Sequence, residues 1–590
     1  MEDFSNKSKY NNQPAVEFKH IPFCVESGWA SICHRLNQEI SSIQKSWKIV
    51  VIETYQGVIH EELMAELKRG LLFNSFIYAG DVMLSEELIK DMVQPGLTDD
   101  RIFGFKSSLT MDAFFDPNKL TAVQAEINGK KEGVIVIYGS GSSIICPAPD
   151  LLVYADMARW EIQLRMRKHL VDNLGVNNRN TKDWMLLYKQ GYFLDWRVCD
   201  RLKKKLFRKW NFLLDTNQMG KPKLVEGEAV LKALEETARR PFSVVPFFDP
   251  GPWGGQWMKE VCNLDKSVTN YAWCFNCVPE ENSLLIKFGE NTIEIPSINL
   301  VFLHPKELLG ETVYDSFGDE FPIRFDFLDT MQGGNLSLQV HPLTEYIEKE
   351  FGIPYTQDES YYMMDTEDDA IVYLGLRDNV DPKEMITALE EAQSDGEPFE
   401  AEKHVQVWPV KKHDHVLIPA GTVHCSGKNS MVLEISATPY IFTFKLWDWG
   451  RLGMDGKPRP INIEHGKKVI QWERKTHWTE KNLVNCIEKL DEGEGWVEER
   501  TGLHQLEFIE TRRHWFSEKV EHNTHGTVNV ICLVEGKEII VESPGKEFEP
   551  FIVHYAEVFI VPAQVGRYII RPFGDAEGEE CATIKAFMRS

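Results

Sequence analysis

Four residues in the middle of the chain have side chains that ligate metals: Gln339, His341, Glu359 and His424. Gln339 and His341 stand two apart in NLSLQVHP, where Asn335 to Val340 alternates as a half-buried strand does. Side chains alternate across a strand, so both project from one face at the strand's end. Glu359 enters the aromatic stretch YTQDESYYMMD, and His424 follows a Pro-Ala-Gly turn in HDHVLIPAGTVHCSG. Two imidazoles, a carboxylate and an amide oxygen suit a divalent ion such as zinc, with a position open for substrate. Each residue also has a plainer reading. His341 can cap a strand, Glu359 can sit in solvent, and His413 and His415 compete with His424 as ligands.

Bringing these residues together requires short strands, and the surrounding chain supplies them. From RPFSVVPFFDPGPWGG onward, Gly and Pro are frequent and short alternating runs dominate, which predicts an antiparallel sandwich or barrel. DPKEMITALEEAQSDG is one inserted helix, begun at Asp-Pro and ended at Gly396. Near residue 500 a second strand-rich block begins. In it VNVICLVEGKEIIVES reads as a hairpin turning at Glu535-Gly536, and EVFIVPAQVGRYIIRP as another. The N-terminal third differs. WKIVVIETYQGVIHEELMAELKRGL, EGVIVIYGSG and DLLVYADMARWEIQLRMRKHLVDNLG alternate buried strands with helices, the pattern of a parallel α/β domain. Residues 1–45 are polar with scattered aromatics and are expected to form an irregular arm.

At 590 residues the chain is too long for one core, and three or four domains are expected. A net charge of −25 argues against a nucleic-acid partner, because phosphates call for Lys and Arg. No apolar run reaches membrane-spanning length, and the first residues lack the apolar core of a signal peptide. The eleven Cys are scattered, with one isolated CxxC at Cys274 and Cys277, so reduced thiols in a cytoplasm are expected.

Between residues 249 and 451 the segments DPGPWGG, GDEFPIRFDFLD, LSLQVHP, LGL, IPAGTVH, LEIS and DWGR follow in an order that resembles class I mannose-6-phosphate isomerases, a cupin-type family. The resemblance implies one zinc, or another divalent metal, per chain, held by Gln339, His341, Glu359 and His424. It implies aldose–ketose isomerisation of mannose 6-phosphate to fructose 6-phosphate, with a proton moved between neighbouring carbons through an enediol. Glu434, Lys445 and Arg451 are the catalytic candidates that follow, His341 also standing as a candidate base, with Ser337 and Arg324 as substrate contacts. Arg451 has an equal alternative as the ion-pair partner of Asp448.

The departures bear on the substrate. Where the family usually has Lys, this chain has Asp326 in IRFDFLD and Gln357 before the Glu ligand. Lys445 in FKLWD stands, one residue displaced, for a usual Arg. An acid in place of a base near a bound phosphate costs about 1 kcal/mol or more per charge at contact distance. Two alternatives therefore stand beside the isomerase of a phosphorylated sugar. One is an isomerase of an unphosphorylated or differently charged sugar, the other a non-catalytic sugar-binding or sensor scaffold. The expected partners are the sugar or sugar phosphate and, as a further option, a second copy of the chain in a homo-oligomer; neither nucleic acid nor membrane is among them.

The C-terminal block resembles a second cupin barrel without a metal. At its turn, PAQVGRY places Gly566 and Arg567 where a His would stand, so His522 and His525 are expected on the surface. The N-terminal domain resembles P-loop kinases, uridine kinases in particular, in its strand-loop-helix opening, and in VIVIYG and DLLVYADMARWEIQLRMR where such kinases carry a strand and an Arg-rich lid helix. Its phosphate loop would fall on ETYQGVIH, with Glu53 and Val58 at the glycines, Ile59 at the Lys and His60 at the Ser or Thr. None of the phosphate-binding groups is present. GSGSS at 139–143 is expected to be a flexible loop. The expected fold is thus multidomain: an arm over 1–45, a degenerate P-loop kinase-like parallel-sheet domain over 46–225, a metal-binding cupin (jelly-roll) barrel over 240–470, and a metal-free barrel over 490–590.

Overall fold

A computed structural model describes residues 8–19, 24–394, 398–437, 442–452, 461–502, 504 and 506–589. The chain forms two compact units, one of Ala15–Glu236 with Ser283–Leu303, the other of Met1–Pro14, Thr237–Asn282 and His304–Ser590.

The first unit is built on a seven-stranded sheet. The apolar runs Phe212–Asp215, Leu151–Asp156, Trp47–Thr54, Gly133–Gly139 and Ser75–Tyr78 lie side by side in that order, all parallel. Lys223–Glu226 and Glu26–Ser27 extend one edge antiparallel. Strands with both faces covered read as continuous Val/Ile/Leu runs, as these do. The irregular arm expected over 1–45 is corrected: Ala15–Phe18 is a strand, and Trp29–Ser42 is a helix. That helix buries Ile32, Cys33, Leu36 and Ile40, a stripe at helical spacing. The strand pairs with Ser283–Phe288, which also pairs with Asn291–Pro296, so a hairpin far along the chain completes this unit.

The Gly-rich turn after Gly133–Gly139 is also a correction. Instead of a flexible loop it is a buried turn into the short helix Ser142–Ile145, with Gly141 in the left-handed region at φ 80°. Its backbone amides are taken by the protein's own acid: the N–H groups of Gly141 and Ser143 donate to Glu53 at 2.6 and 2.7 Å. Burial pushes the Glu53 carboxyl up to about 7, against the pull of these bonds. The basic helix, Arg159–Arg167, is packed inward: Arg165 donates to the carbonyls of Gly57, Thr216 and Asn217.

The second unit holds two sandwiches. In the first, a six-stranded sheet contains, in order, His415–Ile418, Glu359–Thr366, Ser430–Ala437, Ile323–Asp329, Trp273–Cys277 and Phe247–Asp249. A five-stranded sheet contains Val405–Pro409, Ile371–Leu376, His424–Ser426, Leu338–Val340 and Phe444–Trp447. Their paired strands are antiparallel, as the alternating short runs predict. The inserted helix runs over Pro382–Ser394; its expected end at Gly396 lies outside the described residues.

The second sandwich pairs a six-stranded with a four-stranded sheet. Here the two expected hairpins are corrected. Asn529–Glu535 lies in the six-stranded sheet and Glu538–Glu542 in the four-stranded one. Val558–Val561 and Arg567–Pro572 are divided in the same way. A tight turn identifies where a chain reverses but not whether the next strand pairs with the last or crosses to the facing sheet. Burying the apolar faces of both sheets decides for crossing, and Ile531, Leu533, Ile539, Val541, Phe559 and Ile570 form the core between them. His522 is corrected too: it is 6% exposed and its ring stacks on Tyr568 at 5.1 Å, while His525 is exposed.

Candidate metal centre

The candidate ligands come from facing sheets of the first sandwich. Gln339 and His424 are direct partners in the five-stranded sheet, and His341 follows the end of its Leu338–Val340 strand. Glu359 begins its strand in the six-stranded sheet. Their side chains meet between the sheets: Glu359 Oε1 is 2.8 Å from His424 Nε2, and Glu359 Oε2 is 3.0 Å from His341 Nε2. The Gln339 amide lies 3.2 Å from His424 Nε2, and turning that amide presents its oxygen instead. His341, Glu359 and His424 form the one group of three or more acidic, His or Cys ligands among the described residues whose ligating atoms lie within 4.8 Å of one another.

The backbone orients both imidazoles. His424 Nδ1 lies 2.8 Å from the Thr422 carbonyl and His341 Nδ1 lies 3.4 Å from that of Phe442. An Nδ1–H donated to a carbonyl leaves Nε2 as the lone-pair nitrogen, the arrangement metal-bound His adopts. The turn carrying Thr422 is itself held. Arg474 donates to the carbonyls of Pro419 and Ala420 and to the Thr422 hydroxyl, and Asp358 accepts the Ala420 N–H. Arg474 has no signal in the sequence, because its role depends on a return of the chain fifty-odd residues later.

The donor set fits a divalent ion. A tetrahedral ion with bonds of about 2.0–2.1 Å separates its ligand atoms by about 3.3 Å. The contacts of 2.8, 3.0 and 3.2 Å are close to that spacing. His341 Nε2 and Glu359 Oε1 are buried without a well-formed hydrogen bond, which a cation between them would satisfy.

Beside the ligands is a second buried cluster. Asp326 is the cross-strand partner of Glu434, and Glu434 of Tyr361, so all three share the face that carries Glu359. Arg324 is ion-paired to Asp326, and its other arm lies 3.8 Å from Glu434. Gln357 donates to Glu359 at 2.9 Å and approaches Glu434 at 3.4 Å, while Ser436 donates to Glu434. Burial, then the neighbouring Glu359 carboxylate, push the Glu434 carboxyl well above its usual range. Burial pushes Asp326 up to about 6 despite Arg324. Tyr361 has a buried hydroxyl that makes no well-formed hydrogen bond but interacts with the Glu359 carboxylate, and an edge-on contact to the His424 ring. Sequence reading missed it; its place two residues after Glu359 in a strand is the signal that would have found it.

The other expected site residues lie at differing places. Lys445 is the strand partner of Gln339 and shares its face. Ser337 donates to Asp448, Arg451 is ion-paired to Asp448 at 2.6 Å, and Arg451 also donates to the Asn335 carbonyl. His413 and His415 are not brought to the ligands. His415 is the partner of Tyr362, which points away from the Glu359 face, and His413 contacts Tyr362 and Glu535.

In the first unit, a cavity of about 790 Å³ lies beside the strand-loop-helix opening, lined by Gln56, Gly57, His60, Tyr78, Asp172 and Arg179 among others. No described helix in the chain is long and apolar enough to cross a membrane.

Comparisons with known proteins divide along the same line. Residues 28–239 match the model of a domain of unknown function, DUF8485. The middle and C-terminal part is similar to mannose-6-phosphate isomerases. Mannose-6-phosphate isomerase ManA of Bacillus subtilis is 28% identical over 232 residues, which cover 39% of this chain and 68% of that protein. Mannose-6-phosphate isomerase of Streptococcus mutans is 25% identical over 223 residues, 37% of this chain and 64% of that one. A crystal structure of the Bacillus subtilis mannose 6-phosphate isomerase superposes with a TM-score of 0.47 at 18% identity, over 59% of this chain and 99% of that chain.

Proposed function

We propose that the second unit is a divalent-metal-dependent, in the first instance zinc-dependent, aldose–ketose isomerase that interconverts mannose 6-phosphate and fructose 6-phosphate. The observation that carries the reading is the Glu359 carboxylate set between the Nε2 atoms of two imidazoles that are oriented from behind by carbonyls. Similarity to mannose-6-phosphate isomerases supplies the reaction class. Gln339, His341, Glu359 and His424 would hold the ion, whose charge when bound would polarise the sugar oxygens. The remaining work falls to the chain. Glu434, a buried carboxyl that takes up a proton readily, and Lys445, on the face of Gln339, would move the proton between neighbouring carbons. Ser337 and Arg451 join the substrate side through Asp448.

A second reading has its own support. Arg324 is the one guanidinium in a buried cluster with Asp326, Glu359 and Glu434, and Asp326 already engages it. That charge balance disfavours a phosphate and favours a neutral sugar. The first unit is read as a kinase-like scaffold without kinase chemistry, on its parallel strand order and the Glu53 carboxylate bound by the Gly-rich turn.

The test is an activity panel on metal-loaded protein with mannose 6-phosphate, fructose 6-phosphate, mannose and fructose. Interconversion of one pair, abolished in His424→Ala, is expected. Which pair turns over separates the two readings. Folded, metal-loaded protein that converts neither pair would overturn both.

A further inference from the structure

The C-terminal sandwich is apolar through part of its interior and polar in the rest. The polar part encloses a cavity of about 370 Å³, within the range of small-molecule sites. Its walls come from both sheets. Arg512 and Lys585 are direct partners in the six-stranded sheet, where Glu498 faces His514 and Asn529 faces Phe587. His522 and Tyr568 are partners in the four-stranded sheet, and the Tyr568 hydroxyl crosses to donate to Asn529 at 2.8 Å.

Two imidazole nitrogens in this cavity lack hydrogen-bond partners, and an ammonium beside them has a ring but no acceptor: Lys585 Nζ lies 5.6 Å from the centre of the Phe587 ring. Lys585 is 6% exposed, and its ammonium makes no hydrogen bond or ion pair with any described residue. His514 Nε2 lies 3.0 Å from Glu498, so it is the donor there, and Nδ1 remains a buried acceptor with nothing to accept from. His522 Nε2 is likewise buried and unpartnered, with its ring 4.5 Å from that of His514. Burial lowers His514 to about 4 and lowers His522 well below the usual imidazole range, so both are held neutral. Burial also lowers Lys585 to about 8, with Glu498 partly opposing. Two buried neutral imidazole nitrogens without hydroxyl partners are costly inside a sandwich.

We propose that this cavity is a second ligand site, distinct from the metal centre, which takes a small anionic polyol of the sugar-phosphate or sugar-acid class. Its anionic oxygen meets the Lys585 ammonium, and its hydroxyls meet His514 Nδ1 and His522 Nε2. Trp496 lines the same cavity and supplies an aromatic wall for the C–H side of a sugar, while the Phe587 ring carries Arg512 and Lys585. Among the described residues no third ligand atom lies close enough to Glu498 and His514 to complete a metal-binding group.

The site does not rest on the isomerase reading, and the test keeps the two apart. Full-length His424→Ala protein, disabled at the metal centre, is titrated calorimetrically with fructose 6-phosphate, gluconate, inorganic phosphate and mannose. Binding of fructose 6-phosphate or gluconate is expected, and the preferred one identifies the anionic head. Inorganic phosphate and mannose, each lacking half of the recognition, should bind about tenfold weaker or less. Adding Lys585→Met should weaken the polyol by about ten- to a hundredfold, the worth of a charged hydrogen bond, without lowering the melting temperature. His522→Phe keeps the stack on Tyr568 and removes the nitrogen, and should weaken binding in the same direction. No binding by any anionic polyol, equal binding of inorganic phosphate, or binding unchanged in both Lys585→Met and His522→Phe would each overturn the proposal.

Discussion

His424 Nε2 stands 2.8 Å from Glu359 Oε1, although the two residues belong to different sheets of one sandwich. The contact crosses the interior, so it reports the packing of the sheets as much as the chemistry of a site. It also makes the position of each residue testable.

Protein purified without chelator should carry close to one equivalent of a divalent ion. His424→Ala should lower that content sharply by elemental analysis. His413→Ala and His415→Phe should not, because both positions lie on the Tyr362 side of the strand. Loss of metal from His413→Ala equal to that from His424→Ala would refute the assigned set.

Asp326→Asn should destabilise the protein by up to about 3 kcal/mol, since it leaves Arg324 buried without its close partner. Mannose 6-phosphate should recover part of that loss and mannose should not, read as shifts in melting temperature. If mannose 6-phosphate stabilises the unmodified protein as much as the variant, Asp326 does not block the guanidinium.

His415 gives a pH dependence of known sign. Burial, with Arg513 nearby, lowers it to about 3, below the value of about 6.5 it has in an unfolded chain. Between those values the unfolded chain binds the extra proton, so this residue's contribution to stability falls as pH falls. His415→Phe removes the penalty. Relative to the unmodified protein it should gain about 1.4 kcal/mol per pH unit below about 6.5 in denaturant unfolding. A difference that stays flat from pH 6.5 to pH 5 would show that His415 is protonated in the folded state.

The first unit should turn over no Mg-ATP, because Ile59 stands where a phosphate-binding Lys is needed. Glu53→Ala should cost about 1–3 kcal/mol by orphaning the amides of Gly141 and Ser143. Saturable Mg-ATP turnover lost on Gly57→Ala would mean that another phosphate loop operates there.

Residue types and local order determined much on their own. The strand Leu338–Val340, the helix Pro382–Ser394 and the parallel strands of the first unit follow from side-chain periodicity, which acts over a few neighbours. That Arg324 and Asp326 share a strand face follows from the same periodicity, although their ion pair is seen only in the folded chain. Only the tertiary structure decided which distant groups meet. Glu535-Gly536 looks alike in a hairpin and in a crossing between sheets, and the burial of two apolar faces selects the crossing. His522 is polar and flanked by polar residues, which reads as surface until the second sheet closes over it. His415 and His424 stand nine residues apart on either side of one turn, yet they enter different sheets, and register pairs His415 with Tyr362, away from Glu359, and His424 with Gln339. Register and sheet closure are collective properties of many strands, set by the total apolar area buried, and no short stretch of sequence contains them.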